Sequence, residues 1–448
     1  MERDVLERLM AWRDSPRRKP LMLKGARQVG KTWALREFGR RAYQNVAYFS
    51  LENIAPGVPS EYAVFFSATH DPRRIVANLS LASGQAIEPG STLLILDEIQ
   101  DCPVAVGALK YFCDDAPEYH VACAGSLLGV MLARSEGSFP VGKVTFLDMG
   151  PLTFSEFLRG VGMGNLAAYA HQVALPGPVP QAFESQLTEQ LMRYCAVGGM
   201  PEAVATWAST QRMDEVDAVL SDLIDSYERD FAKHGGRGLF AKLSLVWHSL
   251  PAQLARENKK FMYGVVRSGA RAREYEDAIE WLIDAGLLVR VRRMKAPGIP
   301  LSAYDDPAAF KLYALDVGIL RRLSQLDARA FGTPVGLFRE FKGAFAENYV
   351  LQQLRGQVTG DPRYWTNEKP RHEVDFVVQL GNGLVPIEVK SGENVGASSL
   401  RYYARKYADA TPLRVRMSLR NLSLDDDVLN IPLYLAEQTP RLVGNSLA

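Results

Sequence analysis

The amino-acid sequence predicts an α/β fold that is divided into several domains. Its 448 residues correspond to about three domains at roughly 150 residues each. In the N-terminal third, short apolar runs such as Leu93–Leu96 alternate with helical patterns, which is typical of a parallel sheet with right-handed crossovers. Near the C-terminus, strand patterns on both sides of the turn Gly381–Gly383 predict a hairpin.

The composition restricts the class of protein. Hydrophobic residues make up 47% of the chain and charged residues 23%, which is ordinary for a globular protein. The 52 Lys and Arg residues against 51 Asp and Glu residues give a net charge of +1. This balance excludes a uniformly basic nucleic-acid coat protein and an acidic disordered chain, but it leaves room for a local basic groove.

Cysteine usage and hydropathy indicate the compartment. The chain has 4 cysteines and no C-x-x-C pair, so neither a disulfide framework nor a zinc ribbon is expected. The first residues are charged throughout and lack the apolar segment of a signal peptide. Since no long apolar run is present either, we expect a cytoplasmic protein that does not bind a membrane.

A nucleotide-binding loop follows the strand pattern Leu21–Leu23 and precedes the helical pattern Thr32–Arg41. The loop fits G-x-x-x-x-G-K-[ST] at every position, with the residues Gly25, Ala26, Arg27, Gln28, Val29, Gly30, Lys31 and Thr32. We expect its backbone N–H groups and the helix N-terminus to bind the phosphates of ATP. Lys31 would reach the outer phosphates, and the Thr32 hydroxyl would coordinate Mg²⁺.

Two carboxylates end the apolar strand pattern that begins at Leu93. We expect Asp97 to hold Mg²⁺ through water and Glu98 to act as the general base for the attacking water. Ser126 follows the next strand pattern, His120–Ala124. It is expected either as a polar sensor of the outer phosphate, as in ATPases of this kind, or as a helix N-cap before Leu127.

The middle of the chain is mostly helical from Gln181 to about Leu326. Within it, the strand patterns Leu287–Met294 and Phe310–Leu315 predict a hairpin, and helices followed by a small hairpin are typical of a winged-helix module. Basic residues cluster here and near the C-terminus, where they would face phosphate or simply solvent. They are Lys259, Lys260, Arg267, Arg271, Arg273, Arg290, Arg292, Arg293 and Lys295, then Lys369, Arg371, Arg401, Arg405 and Lys406.

The C-terminal hairpin carries a second set of charged residues. Glu388 and Lys390 share one face of a strand because side chains alternate, and antiparallel pairing brings Asp375 to the same edge. Two converging carboxylates bind a hard cation such as Mg²⁺, and the lysine would orient and help deprotonate a water for attack on a phosphodiester. Glu347, in a preceding helical pattern, would add a further metal ligand or support one.

The segments GARQVGKT, LLILDEIQDCP, AGSLLG and LDMGPLTFSEFL together resemble a large prokaryotic family of AAA-type ATPases with a C-terminal domain of unknown function. The Asp375, Glu388 and Lys390 pattern resembles the PD-(D/E)XK nuclease fold. The resemblance implies an ATPase core (1–175), a helical lid (176–240), a winged-helix-like region (241–330) and a restriction-endonuclease-like α/β domain (331–448). Lys143 stands where this family would have an arginine, so the arginine of the ATPase site is unassigned between Arg134 and Arg229.

Two functions are compatible with these features. The first is an ATPase coupled to a domain that binds DNA or RNA and cleaves it with Mg²⁺. The alternative is a nucleotide-dependent regulatory switch whose C-terminal domain binds a protein or DNA partner without cleaving it. Self-association is compatible with both, because AAA-type ATPases commonly assemble into rings.

Overall fold

The fold is described from a computed structural model of the chain. The description covers residues 1–55, 57–134, 139–175, 177–256, 259–332, 339–367, 372–391 and 398–447. The chain forms two compact units. The N-terminal unit comprises Glu2–Gly150 and Asp284–Leu287, and the C-terminal unit comprises Met1, Pro151–Ile283 and Leu288–Ala448.

The N-terminal unit is built on a parallel sheet. Within the described residues this sheet has five strands in the order β2-β3-β4-β1-β5. The strands are β1 (Leu21–Lys24), β2 (Asn45–Ser50), β3 (Thr92–Asp97), β4 (His120–Ala124) and β5 (Thr145–Asp148). The helices of this unit are α1 (Val5–Arg13), α2 (Lys31–Ala42), α3 (Ala63–Ala68), α4 (Pro72–Ser83), α5 (Pro103–Asp115) and α6 (Leu128–Arg134).

The predicted parallel α/β sheet is therefore confirmed in this unit. Every residue of β3 is buried, as its continuous apolar run predicted, since a central parallel strand is covered on both faces. Strand β4 lies between β3 and β1. Because parallel strands end at the same edge of a sheet, the segments that follow β1, β3 and β4 converge there.

The C-terminal unit is largely helical before and between its strands. Its helices are α7 (Phe154–Gly160), α8 (Gly164–Gln172), α9 (Gln181–Val197), α10 (Pro201–Thr210), α11 (Met213–Leu254), α12 (Tyr263–Val266), α13 (Ala272–Asp284), α14 (Val317–Leu323), α15 (Arg339–Leu354), α16 (Ser398–Lys406) and α17 (Thr439–Leu447). Among the described residues, no helix combines the length and the apolar character needed to cross a membrane.

A mixed sheet forms the other half of this unit. Its strands are β6 (Leu288–Met294), β7 (Asp305–Ala314), β8 (Thr359–Thr366), β9 (Glu373–Leu380), β10 (Gly383–Val389), β11 (Arg414–Ser418), β12 (Ser423–Asp425) and β13 (Val428–Pro432). In the described part of the chain the order is β12-β13-β11-β10-β9-β8-β6-β7. The hairpin predicted around Gly381–Gly383 is present as the antiparallel pair β9 and β10.

The hairpin that suggested a winged helix does not stand alone. Strands β6 and β7 pair antiparallel, as predicted, but β6 also pairs in parallel with β8 through Arg292 with Arg363 and Met294 with Trp365. The hairpin thus extends the C-terminal sheet. A wing with a free edge would leave backbone groups of β6 open to solvent, whereas here both edges of β6 are paired.

A buried aspartate ties the helices of this unit together. Asp316 caps α14 by accepting hydrogen bonds from the N–H groups of Gly318 and Ile319, and it also accepts from Gly199 N at 2.6 Å and Gln352 Nε2 at 2.9 Å. Gly198, with φ of 81°, makes room for it, since a Cβ there would lie 2.2 Å from Asp316 Oδ1. The glycine pair after α9 thus has a packing role.

Candidate functional site

The phosphate-binding loop connects β1 to α2, as the motif predicts. Gly30 precedes the first helical residue with φ of 95°, a left-handed conformation that glycine adopts without strain. Gly25 lies so close to the backbone after β5 that a Cβ would come within 2.1 Å of the carbonyl oxygen of Met149. Both glycines are therefore required by the path of the loop.

Lys31 lies inside the loop. Its Nζ donates to the carbonyl oxygens of Gly25 at 2.9 Å and Ala26 at 2.8 Å, and the side chain is buried. Burial lowers the pKa of Lys31 to about 8, although the nearby charges of Glu98 and Asp97 act in the opposite direction. A phosphate group entering the loop would replace these two carbonyls as partners and favour the charged form of Lys31.

Thr32 and Asp97 are brought together as predicted. The Thr32 hydroxyl, in the first turn of α2, donates at 2.7 Å to Oδ2 of Asp97, the last residue of β3, so an alcohol and a carboxylate meet at the sheet edge. Two oxygen ligands at this separation fit a hard cation such as Mg²⁺, which commonly keeps water and phosphate as its other ligands. The residues present here therefore fit the metal that the motif implies.

Tyr48, on β2, is a member of this site that the sequence did not reveal. Its hydroxyl donates to the same Asp97 Oδ2 at 2.9 Å. The guanidinium of Arg36 lies 3.9 Å from the centre of the Tyr48 ring, so a cation–π contact helps to fix the ring. Burial and the charge of Asp97 raise the pKa of Tyr48 to about 12, so the phenol remains a donor at neutral pH.

Glu98 and Ser126 also meet. Glu98 Oε2 accepts from the Ser126 hydroxyl and backbone N–H, each at 3.2 Å, and from Gln100 Nε2 at 2.5 Å. Glu98 has φ of 48°, a left-handed conformation that is uncommon for a residue with a side chain. The Ser126 hydroxyl thus contacts the expected general base, and its roles as sensor and N-cap both stay predictions.

Arg3, near the N-terminus, contacts the phosphate-binding loop. The Arg3 guanidinium, which is buried, donates to the carbonyl oxygens of Val29 at 2.8 Å and Gly150 at 2.7 Å. Gln28, inside the loop, is left-handed with φ of 64°. Arg3 is a second residue that the sequence gave no reason to select, since its contact depends on the fold of α1 against the loop.

In the C-terminal unit, the pairing of β9 with β10 places Asp375 and Glu388 across from each other. The register pairs Phe376 with Ile387, and one further step brings Asp375 opposite Glu388 on the same face. Asp375 Oδ2 accepts from Val389 N at 2.8 Å, and Lys390 Nζ lies 2.8 Å from Glu388 Oε1. The three side chains predicted to act together thus lie at one end of this strand pair.

The charges of these groups are set by burial and by their neighbours. Burial, together with the charge of Glu347, raises the pKa of the Asp375 carboxyl. Burial lowers the pKa of Lys390, but its hydrogen bond to Glu388 and the negative charges around it together outweigh burial and raise it. Lys390 is consequently an ammonium at neutral pH, which suits it to neutralise charge on a substrate rather than to accept a proton.

Glu347, on α15, has partners for both of its oxygens. Lys259 forms an ion pair with Oε1, and the Tyr313 hydroxyl donates to Oε2 at 2.8 Å. The fully buried Lys311 lies 3.8 Å from the same Oε2 and 2.5 Å from Glu373 Oε1. Burial raises the pKa of Glu347, yet Lys259 and Lys311 outweigh burial and lower it.

These contacts determine which of Asp375, Glu388 and Glu347 could bind a metal ion. Glu388 Oε2 is buried and has no hydrogen-bond partner, so one carboxylate oxygen is available to a cation. Within the described ranges, however, no three acidic, histidine or cysteine residues lie close enough together to hold a metal ion. Asp375 and Glu388 fit a single hard cation, while Glu347 would have to leave Lys259 to become a ligand.

Several basic residues expected to face phosphate are ion-paired instead. Lys259 pairs with Glu347, Arg290 lies 2.6 Å from Glu280, and Arg293 pairs with Asp306. Arg401, Arg405 and Lys406 lie exposed on α16. Lys369 and Arg371 lie outside the described residues. The surface charge around β6 is therefore less basic than the sequence suggests.

Comparison with family models agrees with the geometry of the first site. Residues 17–158 match the model described as AAA domain. This part of the chain is therefore similar to AAA-type P-loop ATPase domains. Residues 188–330 and 342–434 match two models described as Domain of unknown function, DUF8612 and DUF4143.

The chain is also similar to known proteins, and these similarities do not identify a further activity. The uncharacterized proteins Rv2008c of Mycobacterium tuberculosis and Mb2031c of Mycobacterium bovis are each 27% identical over 403 residues, which span 87% of this chain and 73% of theirs. The Walker-type ATPase PABY2304 of Pyrococcus abyssi is 15% identical with a TM-score of 0.44, covering 72% of this chain and 95% of that one. The AAA assignment rests on the family model and on the site.

Proposed function

We propose that this protein binds Mg-ATP in the P-loop, hydrolyses it, and uses the nucleotide state to control a nuclease-like C-terminal domain that binds DNA or RNA. The observation that carries the ATPase part is the meeting of Thr32 with Asp97 beside the buried Lys31. Lys31 and Thr32 would hold phosphate and Mg²⁺, and Asp97 would hold the metal through water. Glu98 would polarise the attacking water.

The ATPase part is tested by Lys31→Ala. Because Lys31 lies inside the loop where the outer phosphates would enter, ATP turnover should fall to background while the unfolding temperature stays close to that of the wild type. Lys110→Ala, which removes an exposed lysine of α5, is the matched control. Unchanged turnover in Lys31→Ala would contradict the assignment.

The nuclease-like part is supported by Asp375 and Glu388 on one face, with a buried free oxygen on Glu388. Two carboxylates can hold one Mg²⁺ beside a phosphodiester, and the charged Lys390 would stabilise the negative charge that develops there. Asp375→Asn and Glu388→Gln keep the shape of each side chain but remove its charge. Both should abolish Mg²⁺-dependent nicking, whereas Asp409→Asn, at an exposed position, should not.

A second candidate is the non-cleaving switch, and one observation favours it. Lys259 and Lys311 already neutralise Glu347, so lysines of the protein itself stand where a cleaving site would bind a metal ion. This candidate predicts no cleavage under any metal condition, but an affinity for a DNA or protein partner that differs between ATP and ADP. Measuring cleavage and partner affinity in the same Glu98→Gln variant, which should bind ATP without turnover, separates the two.

We also propose a cytoplasmic location. The four cysteines, all within the described residues, are free thiols, and three of them are buried. Burial raises the pKa of Cys123 and Cys195, which keeps these thiols protonated and unreactive. Free cysteines that are not paired fit a reducing compartment.

A further inference from the structure

Helix α16 presents aromatic and basic side chains side by side on its outer surface. Tyr402 is 39% exposed, and its ring stacks on that of His372 with centroids 4.4 Å apart and 15° between the planes. The buried Trp365 lies beside Tyr402 at 6.1 Å and 30°. Two neighbouring rings thus fix the orientation of the Tyr402 ring, while part of the side chain remains exposed to solvent.

The polar side of this surface is positively charged. Arg401, Arg405 and Lys406 are all exposed, and within the described ranges no ion pair joins any of them to a carboxylate. Burial, together with the positive charges of Arg401 and Arg416, lowers the pKa of Arg414 on β11. We refer to Arg401, Tyr402, Arg405, Lys406 and His372 as the α16 surface.

Helix α16 packs against β9 and β10, the strand pair that carries Asp375 and Glu388. Leu384 packs in one apolar cluster with Leu400 and Tyr403 of α16. Leu384 lies on β10, the strand that also carries Glu388. Strand β11 pairs with β10 so that Arg416 lies beside Glu388.

We propose that the α16 surface binds single-stranded nucleic acid, with a base stacked on Tyr402 and the adjoining phosphates held by Arg401 and Arg405. A flat ring pair flanked by unpaired cations matches the two parts of an unpaired nucleotide, a planar base and an anionic phosphate. In a duplex the bases are already stacked on each other, so the exposed ring would have no equivalent partner. This inference rests on the proposed function and names its substrate class.

The binding test compares four fluorescent probes. They are oligothymidylate, oligouridylate, an abasic sugar-phosphate oligomer of the same length, and a duplex, each titrated with the full-length protein. The oligothymidylate and oligouridylate should bind about 10-fold or more tightly than the abasic oligomer, because stacking adds to the charge term that all probes share. Binding of either of the first two probes supports the inference.

Variants of Tyr402 identify the surface. Tyr402→Ala should weaken binding of the single strands by about 10-fold or more and leave the abasic oligomer nearly unaffected. Tyr402→Phe keeps the stacking ring and should retain wild-type affinity. Tyr304→Ala removes another tyrosine of similar exposure, 38%, and serves as the control. Unfolding temperatures of all variants are measured alongside, so that a loss of folding is recognised.

Charge variants give an independent readout. Changing Arg401 and Arg405 to Gln should reduce the slope of log affinity against log salt by about 0.7 for each phosphate contact removed. Tyr402→Ala should leave this slope unchanged, because it removes no charge. If Tyr402 only supports the fold, Tyr402→Ala would not weaken the binding of single strands more than that of the abasic oligomer.

Three results would overturn the inference, and the third is distinguishable from the first two. If single strands bind wild type and Tyr402→Ala equally, or if the duplex binds as tightly as the single strands, the α16 surface is not a stacking site although nucleic-acid binding stands. If the wild type binds no probe with ATP, with ADP or without nucleotide, the nucleic-acid part of the proposed function fails together with the inference.

Discussion

Removing the Tyr48 hydroxyl should weaken Mg²⁺ binding at the ATPase site. Tyr48 and Thr32 donate to the same oxygen of Asp97, so the carboxylate is oriented by two hydroxyl groups from different elements. In Tyr48→Phe the Thr32 contact and the local bond from Glu98 N to Asp97 Oδ1 remain. The fold should be preserved because the ring and its contact with Arg36 are unchanged.

The size of the effect follows from the kind of bond that is lost. A hydrogen bond to a charged group contributes about 1.5–3 kcal/mol, and Asp97 is only 5% exposed, so water replaces the donor poorly. At about 1.4 kcal/mol per tenfold change, this corresponds to roughly 10- to 100-fold in affinity. Loss of a group that orients a metal ligand has the same range of effect, about 10- to 100-fold.

The assay is ATP hydrolysis as a function of Mg²⁺ concentration. The Mg²⁺ concentration at half-maximal rate should rise by about 10- to 100-fold in Tyr48→Phe, while the rate at saturating Mg²⁺ stays near that of the wild type. Tyr119→Phe, a substitution before the amino end of β4 and away from the site, is the control. An unchanged Mg²⁺ dependence would refute the reasoning, as would a lower maximal rate with no change in half-saturation.

Three other substitutions test the structure. Asp316→Ala should lower the free energy of unfolding by about 3–5 kcal/mol in a urea titration, because Gly199 N and other buried donors lose their acceptor; a loss below about 1 kcal/mol would contradict this. Burial and nearby arginines lower the pKa of His120 to about 4, against about 6.5 when unfolded. Between these values the unfolded state binds a proton that the folded state does not, so the wild type loses stability as the pH falls. The unfolding temperature should therefore drop less between pH 7 and pH 5 in His120→Gln than in the wild type. Gly25→Ala should abolish measurable binding of a fluorescent ATP analogue, because the new Cβ would lie 2.1 Å from Met149 O; wild-type affinity would show that the loop can shift.

Local patterns were sufficient to predict the ATPase core. The run Leu93–Leu96 predicts a buried strand because a central parallel strand needs apolar side chains on both faces, and β3 confirms it. The loop Gly25–Thr32 was found from spacing alone, since phosphate binding depends on consecutive backbone groups. Each of these inferences uses residues that lie next to each other in the chain.

Contacts between distant segments could not be predicted in this way. Tyr48 reaches Asp97 because β2 pairs with β3, a register that places Tyr48 beside Ile95. Lys259 was predicted to face phosphate or solvent, whereas it is 13% exposed and paired with Glu347, 88 positions later in the chain. Sequence patterns report neither strand order nor the partner of a buried charge.

The distribution of ion pairs narrows where phosphate could be bound on the C-terminal unit. Arg290 and Arg293 on β6 are paired with Glu280 and Asp306, so binding a phosphate there would first require breaking an existing ion pair. A Lys or Arg side chain that neutralises a phosphate releases the counterions condensed on the nucleic acid. A side chain that has no carboxylate partner does this without first breaking an ion pair. Arg401 and Arg405 meet this condition among the described residues. Charge removal on α16 should therefore change the salt dependence of binding more than the same change on β6.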